Sequence, residues 1–374
     1  MTQHTVAALF RRALDTVPTY QPGKQPAVVP GLTPYKLSSN ELHLPPLPEI
    51  LETMADVPNP AGYPDPTASA LIAGLSEYLD VPTGHITVGG GASEIISALA
   101  RVTTETGTET VYPWPSFELY PQTAALNGGT LKPVALTAAH EHDLTAMADA
   151  ITEQTRMVLL CSPNNPTGTS IKQDNFEAFM ERVPSDVLVV IDEAYWEFCT
   201  DPDALDGLAA AKAYDNVVLV RTFSKAHGLA GFRVGYAVAQ PHVITALRKA
   251  ILTFSVAQLS QNVALASLHQ VDVIQARARS VAAARDEFVT ALRSQGWEVP
   301  DAHANFVWLP LGDLAERFED ACIAQAIAVR KLTDGVRISI GAPEAMQRVV
   351  DIAGKFRDDN DPSSRTKTPA IQPY

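Results

Sequence analysis

The stretch Arg221-Thr-Phe-Ser-Lys-Ala-His-Gly-Leu-Ala-Gly-Phe-Arg-Val-Gly-Tyr236 places a serine, a lysine and an arginine in a loop between two predicted strands. Residues 216–220 form a short apolar run that predicts the first strand, and residues 234–238 predict the second. Ser224, Lys225 and Arg233 lie in the glycine-rich loop between them. An isolated loop lysine is ordinarily a solvated cation, but a hydroxyl and a guanidinium close to it favour a phosphate site.

A nucleophilic amine beside a phosphate site indicates more than anion binding. It is typical of a lysine that forms a Schiff base with a phosphorylated carbonyl cofactor. Pyridoxal 5'-phosphate (PLP) fits that description, so the sequence predicts PLP as the cofactor.

Composition bounds the class of protein. The chain has 374 residues, 46% of them hydrophobic, and a formal net charge of -14. That length predicts two domains, and the acidic balance disfavours nucleic acid and anionic membranes as partners. No apolar stretch is long enough to span a bilayer. The three cysteines (Cys161, Cys199 and Cys322) match no metal-binding spacing and predict a cytoplasmic protein.

The order of predicted elements indicates the fold class. Between residues 68 and 240, strand-like runs alternate with helix-like segments, and the runs at 157–160 and 187–191 are continuously apolar. Such runs are typical of strands buried on both faces of a parallel sheet. We therefore predict an α/β protein with a large, doubly wound, mostly parallel sheet, whose ligand binds at the carboxyl ends of the strands.

The remainder of the chain predicts an arm, a smaller domain and a tail. Residues 18–66 are rich in proline and predict an extended arm, with a short helix over 49–55. Beyond residue 241 the pattern predicts long helical stretches over 243–250 and 258–291, then three strands at 306–309, 327–330 and 336–340 around a helix over 314–325. The predicted division is an N-terminal arm and helix over residues 1–40 that packs with the small domain, a large domain over 41–250, a small α+β domain over 251–357, and a polar, disordered tail over 358–374.

Four further loops follow predicted strands. Gly89-Gly-Gly-Ala-Ser-Glu94 suits an anion at a helix N-terminus, although glycines are common in such turns. Phe117 can stack on a flat ring or belong to the core. Asn165, within Ser162-Pro-Asn-Asn-Pro-Thr-Gly168, can donate to a phenolate or serve only a turn. Asp192, at the end of an apolar strand, can pair with a protonated pyridine nitrogen or cap a helix, and Tyr195 follows it.

These phrases, together with Asp192-Glu-Ala-Tyr195 and the opening stretch, resemble the fold-type I PLP-dependent aminotransferases. Within them the chain is similar to the histidinol-phosphate aminotransferases and their relatives, the aromatic (phenylalanine) aminotransferases. The resemblance covers residues 15–355 in the expected order.

The resemblance implies a role for each matching residue. Lys225 would form the Schiff base, Asp192 would pair with the pyridine nitrogen, and Phe117 would stack on the ring. Asn165 and Tyr195 would hold the ring oxygen. The phosphate would be held by Ala92, Ser93, Ser224 and Arg233, and by Tyr63 of a neighbouring subunit. Arg337 would hold the substrate carboxylate, and Asn40 and Tyr20 would complete the substrate site.

The implied reaction is transamination with ping-pong kinetics, in which an amino acid gives its amino group to 2-oxoglutarate. Tyr63 can reach a neighbouring site only in a dimer, so the resemblance implies a homodimer. Lys36-Leu-Ser-Ser-Asn-Glu41 and Trp114-Pro-Ser-Phe-Glu-Leu-Tyr-Pro121 are closer to the aromatic branch, so we expect an aromatic amino acid as donor. Histidinol phosphate is the alternative donor, and a PLP decarboxylase or a PLP-sensing regulatory module are alternatives of other classes.

Overall fold

In the computed structural model, residues 21–56 and 59–360 are described, with Leu14, Val17 and Thr19 before them. The predicted N-terminal helix and Tyr20 lie outside the described residues. Twelve strands occur in the described part: β1 Tyr35–Lys36, β2 Ile86–Gly89, β3 Glu109–Trp114, β4 Thr130–Ala135, β5 Thr155–Cys161, β6 Leu188–Asp192, β7 Val217–Thr222, β8 Gly235–Ala239, β9 Phe306–Pro310, β10 Ile327–Ala328, β11 Arg330–Leu332 and β12 Gly335–Ser339.

Twelve α-helices connect these strands over the same part of the chain. They are α1 Pro48–Ala55, α2 Ser69–Leu79, α3 Ala92–Thr103, α4 Leu119–Leu126, α5 Leu144–Asp149, α6 Gln173–Met180, α7 Gly207–Ala213, α8 Pro241–Ala250, α9 Gln258–Leu268, α10 Val271–Ser294, α11 Ala315–Ile323 and α12 Pro343–Asn360.

The large sheet has seven strands in the order β2-β8-β7-β6-β5-β3-β4. All pairings from β4 to β7 are parallel, and β8 alone runs against its two neighbours. The predicted mostly parallel α/β sheet is therefore confirmed. The carboxyl ends of β5, β6 and β7 lie side by side, which brings together the loops that follow them.

Two apolar layers cover the faces of this sheet. Along β5, Val158 and Leu160 belong to one cluster, whereas Met157, Leu159 and Cys161 belong to the other. This alternation follows from the two-residue period of a strand, and it explains why a strand buried on both faces reads as a continuous apolar run.

A second unit is built around a three-stranded antiparallel sheet in the order β11-β12-β9. The N-terminal arm joins this unit because β1 pairs in parallel with β10. The single strand predicted over 327–330 is wrong: it is divided at Val329 into β10, which pairs with the arm, and β11, which pairs with β12.

Two helical predictions also differ from the structure. The stretch over 258–291 is two helices, because the chain turns at His269–Gln270 between α9 and α10. Helix α12 continues to Asn360, so residues 358–360 belong to a helix and not to the predicted tail. Residues 361–374 lie outside the described part. Among the helices described, none is long and apolar enough to cross a membrane.

One buried cation ties α10 to the rest of the protein. Arg285 is fully buried, and its Nη1 donates to the carbonyl oxygens of Phe198 at 2.9 Å and Ala304 at 3.2 Å. Its Nη2 donates to the Thr200 hydroxyl at 2.9 Å. These acceptors come from two separate stretches of chain, so Arg285 satisfies backbone groups that would otherwise be buried without donors.

We expect Arg285→Met to lower the free energy of unfolding by about 2–4 kcal/mol, because buried acceptors lose their donors. Urea denaturation followed by circular dichroism measures this. Arg279→Ala is the matched control, since Arg279 is an exposed arginine of the same helix. Equal stability of the two variants would show that Arg285 does not hold these segments together.

Candidate active site

A cavity of about 150 Å³ opens at the carboxyl ends of β5, β6 and β7. Nine residues predicted from the sequence line it, namely Ala92, Ser93, Phe117, Asn165, Asp192, Tyr195, Ser224, Lys225 and Arg233. Cys161, Ala194, Thr222 and Ala230 complete the lining. The structure thus brings the loops of the sequence prediction to one place.

Lys225 is half-buried in the loop that follows β7. Its Nζ lies 3.5 Å from the carbonyl oxygens of Ser39 and Asn40, which belong to the N-terminal arm. Desolvation of the amine, together with the positive charge of Arg337, lowers the pKa of Lys225 to about 8. The neutral, nucleophilic form of this amine is therefore far more populated near neutral pH than in an ordinary lysine.

Asp192 is the last residue of β6, and only 3% of it is exposed. Its Oδ2 accepts a hydrogen bond from the Tyr120 hydroxyl at 2.8 Å, and its Oδ1 accepts one from the Ala194 amide at 3.1 Å. Burial raises the pKa of Asp192 to about 6, against the opposing effect of these hydrogen bonds. A cationic partner in the cavity would stabilise the carboxylate further.

The other end of the cavity is shaped for an anion. Helix α3 begins at Ala92, after Gly91 with a φ of 84°. Arg233 has a left-handed φ of 54°, and its Nη1 lies 3.4 Å from the Ser224 hydroxyl. Free amides at a helix N-terminus, two serine hydroxyls and a guanidinium form the donor set that a phosphate requires.

Gly235 allows this arrangement. A Cβ at residue 235 would lie 2.5 Å from the amide nitrogen of Ala92 and 2.6 Å from the carbonyl carbon of Gly91. The start of α3 therefore rests directly on the backbone of β8. Any larger side chain at this position would push the anion-binding turn away from the cavity.

The arm and β12 meet the cavity next to Asn165 and Tyr195. Arg337 is buried, and it donates to the Asn165 side-chain oxygen at 2.6 Å and to the Ser38 carbonyl oxygen at 2.8 Å. Asn40 donates to the Tyr195 hydroxyl at 3.1 Å and accepts from the Ser339 hydroxyl at 2.9 Å. The arm, the loop after β5 and β12 thus meet at one point.

An ion pair lies behind the cavity, on the opposite face of the sheet from Asp192. Arg221 Nη2 lies 2.7 Å from Glu193 Oε2, and both side chains are buried. The Arg221 guanidinium carbon also lies 3.9 Å from the centre of the Trp196 ring. The ion pair and the ring contact join the end of β7, which leads to Lys225, to the end of β6, which carries Asp192.

Tyr63 is not part of this assembly. It is 85% exposed and stacks on Phe254, with ring centroids 4.7 Å apart. Within one chain the structure does not bring Tyr63 to the cavity.

Sequence reasoning missed three contributors to the site. Tyr120 lies in the quoted phrase 114–121, but nothing in the phrase indicates that its hydroxyl reaches Asp192. Thr222, whose hydroxyl is 2.9 Å from that of Ser224, belongs to the opening stretch and could have been proposed from its position. Ser38 acts through its backbone carbonyl, for which a side-chain pattern gives no signal.

Comparison with known proteins agrees with this geometry. The family model "Aminotransferase class I and II" matches residues 33–352. The chain belongs to this family. The predicted resemblance and the prediction of an aminotransferase are therefore confirmed, and membership implies dependence on PLP.

Relatives of this aminotransferase include two curated proteins named aromatic amino acid aminotransferase. The one from Streptomyces avermitilis is 46% identical over 350 residues, which cover 93% of this chain and 97% of the relative. The one from Rhodococcus jostii is 45% identical over 335 residues, which cover 89% and 92%. Among solved structures, histidinol-phosphate aminotransferase from Sinorhizobium meliloti in complex with PLP has a TM-score of 0.82 at 24% identity, and the match covers 93% of this chain and 98% of that one. This last likeness shows the shared fold.

The residues of the cavity fit PLP. The anion-binding turn suits its phosphate, and the buried carboxylate of Asp192 suits a protonated ring nitrogen. The amine of Lys225 suits the aldehyde of PLP, since the pKa of Lys225 is lowered to about 8.

In the PLP-free protein, we expect the rate of covalent attachment of PLP to Lys225 to rise with pH and to reach half its maximum near pH 8. Only the neutral amine attacks an aldehyde, and the pKa of Lys225 is lowered to about 8. Stopped-flow absorbance at a series of pH values measures the rate. The Lys225→Ala variant gives the background rate of PLP attachment to other lysines. A pH midpoint of about 10.4, the pKa of an ordinary lysine, would contradict the assignment of Lys225.

We expect Gly235→Ala to weaken PLP binding about tenfold or more, because the added Cβ would displace the Ala92 amide from the phosphate site. Loss of one hydrogen bond to a charged group costs about 1.5–3 kcal/mol. Fluorescence titration measures the affinity. Gly231→Ala is the matched control, because a Cβ at Gly231 meets nothing within 4 Å. If both variants bound PLP as the wild type does, the close contact at Gly235 would not shape the phosphate site.

Proposed function

We propose that this aminotransferase uses PLP to move the amino group of an aromatic amino acid to 2-oxoglutarate with ping-pong kinetics. The observation that carries the choice of donor is the 46% identity, over 93% of this chain, to a protein named aromatic amino acid aminotransferase. The cavity supports the cofactor assignment because one amine with a lowered pKa, one buried carboxylate and one anion-binding turn line it together.

The proposed holding residues follow from the lining of the cavity. Asp192 pairs with the ring nitrogen, Asn165 and Tyr195 hold the ring oxygen, and Phe117 packs on the ring face. The phosphate is held by Ala92, Ser93, Ser224 and Arg233, with Tyr63 of a neighbouring subunit. PLP, when bound, supplies an electron sink for the bonds of the substrate's α-carbon.

The chain's own residues position the substrate and move its proton. Arg337 holds the α-carboxylate, because its guanidinium is hydrogen-bonded to Asn165, a residue that lines the cavity. Asn40 completes the substrate site, and the family resemblance assigns Tyr20 to the same site. Lys225, once its amine is free and neutral, removes the proton from the α-carbon as a general base. The buried carboxylate of Asp192 would keep the ring nitrogen of PLP protonated, since a carboxylate withdrawn from water is stabilised by a cationic partner.

We also propose a cytoplasmic homodimer with an arm, a large domain over 41–250 and a small domain over 251–360, which includes the end of α12. The exposed stack of Tyr63 on Phe254 supports the dimer, since an exposed aromatic pair is typical of a surface that another chain covers. The three cysteines form no disulfide, in keeping with a reducing compartment.

With 2-oxoglutarate as the acceptor, we expect kcat/KM for phenylalanine to exceed that for histidinol phosphate by more than about tenfold, because selective sites of this kind discriminate by at least that factor. Coupled steady-state assays measure both values. A preference for histidinol phosphate would overturn the proposed donor.

Lys225→Ala is expected to abolish transamination, because the variant has no amine at the position of the general base. Single-turnover absorbance measurements with phenylalanine check this. Lys331→Ala, which removes a partly exposed lysine of β11, is the control and should turn over normally. Retained turnover in Lys225→Ala would refute the lysine assignment.

A further inference from the structure

A second arginine lies beside Arg337. Strands β11 and β12 are antiparallel, and Arg330 is the direct cross-strand partner of Arg337. Directly opposed residues of two antiparallel strands present their side chains on the same face. The two guanidinium groups therefore belong to one face of the small sheet, the face that meets the arm and the cavity.

Arg330 is already occupied. Its Nη1 donates to the Pro22 carbonyl oxygen at 3.0 Å, and its Nη2 donates to the Gln21 carbonyl oxygen at 2.5 Å. The same Nη2 lies 3.2 Å and 3.0 Å from the two carboxylate oxygens of Glu118. Only 10% of the Arg330 side chain is exposed, against 35% of the Glu118 side chain.

Glu118 connects this arginine to the cavity. It directly follows Phe117, which lines the cavity, and it precedes helix α4. Two like charges on directly opposed residues repel, and the carboxylate of Glu118 neutralises one of them. The positive charge of Arg330 is thus balanced by a carboxylate of the protein itself, that of Glu118.

A substrate with a negatively charged side chain must compete with this carboxylate. If its α-carboxylate binds Arg337, the neighbouring cation for its second anionic group is Arg330, which Glu118 already occupies. An aromatic side chain needs no counterion, so it can bind without breaking the Glu118–Arg330 ion pair. The acceptor 2-oxoglutarate and the donor glutamate both carry such a second carboxylate.

We propose that Glu118 is a specificity-determining residue that sets the balance between aromatic and anionic substrate side chains by competing for Arg330. This proposal rests on the proposed function, because it takes Arg337 as the residue that binds the α-carboxylate. It adds a selectivity device that acts on the substrate side chain.

Glutamate and phenylalanine are the sharpest pair of donors for the test. Both carry an α-amino group and an α-carboxylate, so the comparison isolates the charge of the side chain. In Glu118→Gln holoenzyme, we expect the ratio of kcat/KM for glutamate to that for phenylalanine to rise about tenfold, mainly through a lower KM for glutamate. Half-reaction kinetics, followed by cofactor absorbance, measure both donors separately.

Two further variants separate competition for Arg330 from a general disturbance. Glu316→Gln removes a carboxylate that pairs at 3.0 Å with Lys331, the residue next to Arg330, and it should leave the ratio unchanged. In the double variant Glu118→Gln/Arg330→Gln, the gain for glutamate should disappear, because the cation that attracts the second carboxylate is gone. A gain that persists without Arg330, or no gain in Glu118→Gln, would overturn the proposal.

The two proposals fail in different ways. A wild-type enzyme that reacts with glutamate and not with phenylalanine would overturn the aromatic donor, and the effect of Glu118 would still be measured as a rise in kcat/KM for glutamate alone. A wild-type enzyme that prefers phenylalanine, with a ratio that Glu118→Gln does not change, would overturn only the role of Glu118.

Discussion

The site depends on removing two opposite charges from water at the ends of adjacent strands. Desolvation raises the pKa of Asp192 to about 6 and lowers that of Lys225 to about 8. Each shift brings an ordinary side chain closer to neutral pH, at which proton transfer by general acids and bases is most effective. The rest of the fold holds these two groups in place, since an enclosed charge is tolerated only where its neighbours are fixed.

The alternation of side chains along β6 accounts for much of this fixation. Asp192 faces the cavity, whereas Glu193, the next residue, points to the opposite face and binds Arg221 of β7. Arg221 lies four residues before Lys225, and Trp196 follows Tyr195 directly. One ion pair behind the sheet therefore aligns the two strands whose front faces carry the acid and the amine.

The sequence was a good guide wherever one short stretch held both the element and the chemistry. The loop around Lys225 and the end of β6 were predicted because polar residues interrupt apolar runs there. The individual hydrogen bonds and strand pairings between distant stretches were not predicted. The hydrogen bond from Tyr120 to Asp192 spans 72 residues, and the division of 327–330 into two strands depends on the arm that pairs with β10. No periodicity in a single stretch carries such information, because the partner is elsewhere in the chain.

The arm is bound to β12 as well as to β10. Ser38 accepts from Arg337, and Asn40 is hydrogen-bonded to Ser339, so two residues of the arm are fastened to two residues of one strand. The arm and β12 are consequently expected to move together as one rigid unit. Any displacement of that strand relative to the large sheet would therefore move Arg337, the proposed anchor of the substrate's carboxylate, together with Asn40, whose side-chain amide is hydrogen-bonded to Tyr195.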